Sequence, residues 1–195
     1  MALKTFVKIN AVNNLSDARY CAGMGVDVMG FNVDPQSPGF ITQDSFEEIT
    51  GWVSGPKMAL ECGIETVGIE KYESDYLEAA DLDVLQSITI EGKKQILKID
   101  LLQVKEVYIK DIDFIHLEGT SEQLTQEEIA QIRDLAHNVQ VILGYGFNAK
   151  NIEDILTETE VFGISITAGE EIRPGYKDFD ELADILEVLE VDEYA

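Results

Sequence analysis

The sequence predicts a compact, single-domain α/β protein, a (β/α)8 barrel over residues 1–195, and three observations carry that prediction. Runs rich in β-branched and aromatic residues alternate with helical patterns, as βα units on a parallel sheet do. Eight such runs fit into 195 residues, at the short end of the range for a TIM-type barrel. After its first run the chain lacks the G-x-G-x-x-G turn of a dinucleotide-binding open sheet, so the closed barrel is preferred to a doubly wound one.

In chain order, TFVKIN, Thr5 to Asn10, is the first strand. Asn14 suits an N-cap for a helix from Leu15 to Met24, and Gly25 ends it before a second strand begins at Val26. The loop DPQSPGF follows, after which Thr42 caps a helix carrying Phe46, Ile49 and Trp52, and KMALEC, Lys57 to Cys62, supplies strand three. Next come a helix from Tyr72 to Ala80 and strand four from Asp83, in DVLQSI. Between Ser87 and Ile99 only the turn EGKK separates two β-like runs, so the helix between strands four and five is expected to be irregular or missing. The runs SITI and QILKI are then free to pair antiparallel, because a parallel pairing needs a longer crossover.

Leu101 to Lys110 reads as a further helix, and DFIHLE from Asp113 as strand six. Thr125 and Glu128 form a T-x-x-E capping box that opens the helix Gln126 to Ala136. Strands seven and eight lie in VQVILGYGFNAKNI, Val139 to Ile152, and in VFGISITAG from Val161. A last helix opens with Asp178 and Glu181 and sets Phe179, Leu182, Ile185, Leu186 and Leu189 on one face.

Composition narrows the partners. With 38 acidic against 14 basic residues and a formal charge of −24, the chain repels phosphodiester backbones and anionic membrane surfaces. The N-terminal stretch has no secretory pattern and no apolar run is long enough to span a bilayer, so a cytoplasmic protein is expected. Cys21 and Cys62 stand without C-x-x-C or histidine spacing, so they read as free buried thiols. No metal and no cofactor are expected.

The glycine loops after strands seven and eight are where an eight-fold barrel places a phosphate, and glycines let backbone N–H groups approach it. Gly144, Gly146 and Gly169 are therefore candidate phosphate-site residues, with simple turns as the alternative.

Several segments together resemble the phosphoribosylanthranilate isomerase family of tryptophan biosynthesis. They are VKINAVNNLSDA at the first strand, GVDVMGFNVDPQSPGFI at Gly25 to Ile41, ILGYGFNAKNI at Ile142 to Ile152 and ITAGEEIRPGYKD at Ile166 to Asp178. The resemblance implies Amadori isomerisation of a small sugar phosphate by a general base and a general acid. It puts Asn10 where the family has its cysteine base, Ala11 at the following glycine, and Glu118 at the aspartate acid ending strand six. It also puts Gly39 at the arginine that holds the anthranilate carboxylate, Ser165 at a strand-eight aspartate, and a phosphate cradle at Gly144, Gly146, Thr167, Ala168 and Gly169.

Strand alternation places Lys8 with Asn10, and His116 with Glu118, on common faces, which the resemblance turns inward. His116 reads either as an acid/base partner of Glu118 or as a hydrogen-bonded core histidine with Lys8 as counter-ion to Glu118. Cys62 could be a displaced thiol base, but packing among apolar groups would raise its pKa. Two classes of function remain: an isomerase of a sugar phosphate, or a non-catalytic protein that keeps only the phosphate cradle.

Overall fold

The computed structural model describes residues 2–88, 90–106, 112–167, 171–173, 176–177 and 180–191. Eight parallel strands close into a barrel in chain order: β1 Phe6–Asn10, β2 Val28–Asn32, β3 Lys57–Cys62, β4 Tyr76–Ala79, β5 Lys94–Asp100, β6 Phe114–Glu118, β7 Gln140–Leu143 and β8 Gly163–Thr167. Closure is made by β1 on β8, with Lys8 beside Ser165 and Asn10 beside Thr167. Helices α1 Leu15–Gly23, α2 Gln43–Thr50, α3 Leu82–Ser87, α4 Gln126–Ala136, α5 Ile152–Thr159 and α6 Asp180–Val188 connect or follow the strands.

The expected caps are in place. The side chains of Asn14 and Thr42 accept from the N–H groups of Asp17 and Ser45, and Thr125 with Glu128 forms the reciprocal capping box. Gly25 takes the positive φ that a helix exit needs. On α6, Leu182, Ile185 and Leu186 face the sheet, joined by Leu189; Asp178 and Phe179 lie outside the described residues. Trp52 departs from expectation, because α2 stops at Thr50 and the indole is 66% exposed under the Arg19 guanidinium.

The chain between β3 and β5 corrects the sequence reading. Tyr72 to Ala80 is not a helix: its second half is strand β4, whose residues Tyr76, Leu77, Glu78 and Ala79 are all buried. DVLQS, read as strand four, is helix α3, capped by Asp81, whose carboxylate accepts from the N–H groups of Asp83 and Val84. The helix between strands four and five is therefore present but short, six residues. Among the described residues of SITI none pairs with QILKI, and β5 runs parallel to β4 with Glu78 beside Ile96. The poorer connection is the one from β3 to β4, where the described chain carries only the 3-10 turn Ile69–Lys71. Between β5 and β6 a 3-10 turn, Gln103–Glu106, stands at the start of the expected helix, and residues 107–111 lie outside the described ones.

Three aspartates anchor the lower rim. Asp27, Asp75 and Asp113 each precede an even-numbered strand, and their carboxylates accept from the N–H groups of Val7, Met58 and Gln95 on the strand before. Above that rim the barrel floor is apolar, formed by Val28, Ala59, Tyr76, Ile96, Phe114 and Ile142 with Phe6 against them. The next inward layer is polar and charged. It includes Lys8, Glu78, His116 and Ser165, each buried. Gly30 leaves the space that this layer needs, since a Cβ there would collide with the Glu61 carboxylate. Among the described residues no helix is long and apolar enough to cross a membrane.

Candidate active site at the barrel mouth

The polar layer is one closed circuit of hydrogen bonds. Lys8 Nζ donates to Asn10 Oδ1 and meets Glu78 Oε2 at 3.1 Å and Glu61 Oε1 at 3.3 Å. Asn10 Nδ2 donates to Ser165 Oγ at 2.9 Å. Ser165 Oγ lies 2.6 Å from His116 Nε2, and His116 Nδ1 lies 3.3 Å from Glu78 Oε2.

Donor and acceptor types fix the direction of this circuit. Lysine only donates and a carboxylate only accepts, so Asn10 must turn its oxygen to Lys8 and its NH2 to Ser165. A neutral His116 then carries its proton on Nδ1 toward Glu78 and receives the Ser165 hydroxyl at Nε2. Burial alone would raise the Glu78 pKa, but the Lys8 charge and the His116 ring together hold it well below the usual carboxylate range.

Beside the circuit, Ala11 sits in the left-handed region at φ 55, and its N–H donates to Glu61 Oε1 at 3.1 Å. Glycine holds such a φ without strain, so this carboxylate contact is part of what keeps an alanine there.

A cavity of about 380 Å³ opens above the circuit at the C-terminal ends of the strands. Asn10, His116, Glu118, Gly144 and Thr167 all line it, so the fold brings together five of the residues singled out in the sequence. Glu118 is at the rim, paired with Lys98 at 2.8 Å. Burial would lower the Lys98 pKa, and the Glu118 hydrogen bond with the neighbouring carboxylates raises it instead. The counter-ions differ from expectation: Lys8 serves Glu78 and Glu61, and Glu118 takes Lys98.

Gly144 serves the cavity by its missing side chain. A Cβ there would stand 2.9 Å from His116 Nε2 and 3.2 Å from Ser165 Oγ, while its N–H donates to Leu117 O at 2.9 Å. Gly146 adopts φ 80 in the loop after β7, packed beside Leu124. Ala168 and Gly169 lie outside the described residues.

Sequence reasoning missed Glu61, Glu78, Lys98 and Asp100. The last two were readable, because alternation along KQILKID puts Lys98 and Asp100 on one face, and Asp100 does line the cavity. Glu78 was hidden by the helical reading of its strand.

Cys62 is buried, and its thiol is pushed up to about 12 by burial, with Glu78 and Glu61 adding to the effect. Cys21 is fully buried as well. The Cys62 thiol is therefore not a base at neutral pH. At pH 8 the folded protein is expected to react with less than about a tenth of a thiol equivalent of Ellman's reagent in minutes, and with both thiols in 8 M urea. Prompt reaction of one thiol in the native protein would return Cys62 to the list of candidate bases.

No protein-family model matches the chain. The N-(5'-phosphoribosyl)anthranilate isomerase of a Synechococcus species is 24% identical over 211 residues, covering 95% of this chain and 91% of its own. The enzyme of the same name from Leptospira interrogans is 26% identical over 197 residues and covers 90% of each chain. Among solved structures, phosphoribosylanthranilate isomerase from Thermotoga maritima aligns with a TM-score of 0.76 at 18% identity, over 95% of this chain and 98% of that one. Another structure of such an isomerase, in complex with reduced 1-(o-carboxyphenylamino)-1-deoxyribulose 5-phosphate, aligns at 0.74 and 19% identity.

Proposed function

The chain is a divergent member of the phosphoribosylanthranilate isomerase family, and from that premise we propose that it binds a small sugar phosphate at the barrel mouth without the family's proton abstraction. One observation carries this reading. Asn10, at the position of the family's cysteine base, has its amide engaged at both ends, by Lys8 and by Ser165. An amide takes no proton, and one held in this way does not turn toward a ligand at low cost.

Support for the ligand class comes from the loops after β7 and β8. Thr167 ends β8 on the cavity wall, opposite the carboxylates of Asp100 and Glu118, and Gly146 gives the β7 loop its left-handed turn. A phosphate on the β7–β8 side, beside Thr167 and the loop of Gly146, stands across the mouth from those two acids. The ribose hydroxyls then extend toward Asn10 and Glu118. An isomerase for another sugar phosphate is the second reading, favoured because Glu118 keeps a carboxyl group on the cavity wall.

The test is calorimetric titration with ribose 5-phosphate. Thr167→Asp sets a negative charge at an exposed strand end without demanding a special φ, and is expected to weaken binding at least tenfold, about 1.4 kcal/mol. Equal binding by both proteins would remove the β7–β8 site from the proposal.

A further inference from the structure

We propose that Glu78, His116 and Ser165 form a hydrolytic triad just beneath the mouth cavity, which His116 lines, with Ser165 Oγ as nucleophile toward small uncharged acyl esters. Nucleophile, base and orienting carboxylate are recognised by mutual geometry and roles rather than by fold or chain order. Here Ser165 Oγ is 2.6 Å from His116 Nε2, and the far ring nitrogen is 3.3 Å from Glu78 Oε2. The carboxylate accepts only, so it fixes the tautomer in which Nε2 is free to take the serine proton. Lys8 at 3.1 Å keeps Glu78 ionised in its buried position, the condition for an orienting acid.

A triad also needs a donor for the developing oxyanion. Asn10 Nδ2, 2.9 Å from Ser165 Oγ, is an amide NH2 with a second hydrogen that can donate to an oxyanion formed beside it. Access follows from the neighbours of Ser165. His116 and Asn10, its two hydrogen-bond partners, line the cavity, as does Thr167 two residues along the same strand face, and Gly144 adds no side chain over the Ser165–His116 pair. The hydroxyl is nearly buried, so only a small acyl group reaches it, and Asp100 and Glu118 across the cavity repel an anionic one.

In the acylation step Ser165 Oγ bonds to the acyl carbon while its proton passes to His116 Nε2. The ester C–O bond then breaks, and the proton leaves with the alcohol. Water, deprotonated by the same nitrogen, releases the acid and restores the hydroxyl. No oxidant or further co-reactant is needed.

The experiment uses the intact protein and methanesulfonyl fluoride, a small uncharged reagent, followed by peptide mass mapping. Ser165 Oγ displaces fluoride at sulfur, and His116 takes the proton. One methanesulfonyl group on Ser165 is expected, together with hydrolysis of p-nitrophenyl acetate that is lost in Ser165→Ala. In His116→Gln both rates are expected to fall on the order of 10²-fold or more. No adduct in the wild type, under conditions that saturate a known serine esterase, would overturn the proposal, as would an adduct on another residue. That result needs no variant to fold, and the probe carries no sugar, so it stands apart from the sugar-phosphate site.

Discussion

Lys8→Met is expected to destabilise the protein by about 3 to 5 kcal/mol, the cost of leaving a buried carboxylate without its cation. Lys8 is fully buried, and it holds Glu78, Glu61 and Asn10 at once. Methionine fills a similar volume, so the loss isolates charge and hydrogen bonding from packing. Urea unfolding at pH 7 measures it. The pH dependence gives a second check. In the wild type the Glu78 pKa is depressed, so its contribution is present above the unfolded value of about 4.3 and is lost as pH falls from there toward the lower folded value. In the variant, burial acts without Lys8 and Glu78 costs stability when ionised, a cost that disappears below the same unfolded value. The difference between the two proteins should therefore shrink below about pH 4.3. A loss under about 1 kcal/mol at pH 7 would mean that Lys8 does not hold the polar layer together.

How much of this layer was legible in the sequence depended on strand periodicity. From Val7 and from Ile115 onward the two strands alternate, which put Lys8 with Asn10 and His116 with Glu118 on common faces, and the resemblance turned those faces inward. The segment YLEA does not alternate, because Tyr76 and Glu78 point into the barrel while Leu77 and Ala79 pack under the outer layer, and all four are buried. Without an exposed face, and with the helix formers Leu, Glu and Ala in a row, it reads as a helix. DVLQSI fails in the opposite sense. Val84 and Ile88 give it a β-like look, but Asp81 supplies a helix cap and Leu85 sits on the buried side of a single short stretch of helix. Circuits such as Lys8 to Glu78 join residues 70 apart, and nothing local in either segment announces the pairing. The residues proposed for the phosphate side rest on glycine punctuation and resemblance, whereas the partners of Asn10 required the closed barrel.

Turnover of phosphoribosylanthranilate by the wild-type protein is expected to be lower than that of an enzyme with a positioned base by on the order of 10² to 10⁴-fold. Loss of substrate fluorescence measures it directly, and rescue of a tryptophan auxotroph gives an independent readout. Asn10→Cys should recover part of the rate, because a thiol at position 10 stands beside the Lys8 ammonium, which favours the thiolate. Adding Gly39→Arg should raise it further by supplying a cation for the anthranilate carboxylate. The site accommodates that change, since a Cβ on Gly39 makes only an ordinary contact, 3.8 Å from Asn32 Cβ. The gain has an upper limit set by Ser165, which donates to His116 and offers the thiol little, and by Glu118, whose carboxylate is paired with Lys98 and must first take up a proton to act as the acid. Rapid wild-type turnover would be incompatible with Asn10 as an inert amide. It would assign proton abstraction to His116, the imidazole on the cavity wall, and Asn10 would then be the group that orients the sugar hydroxyl beside it.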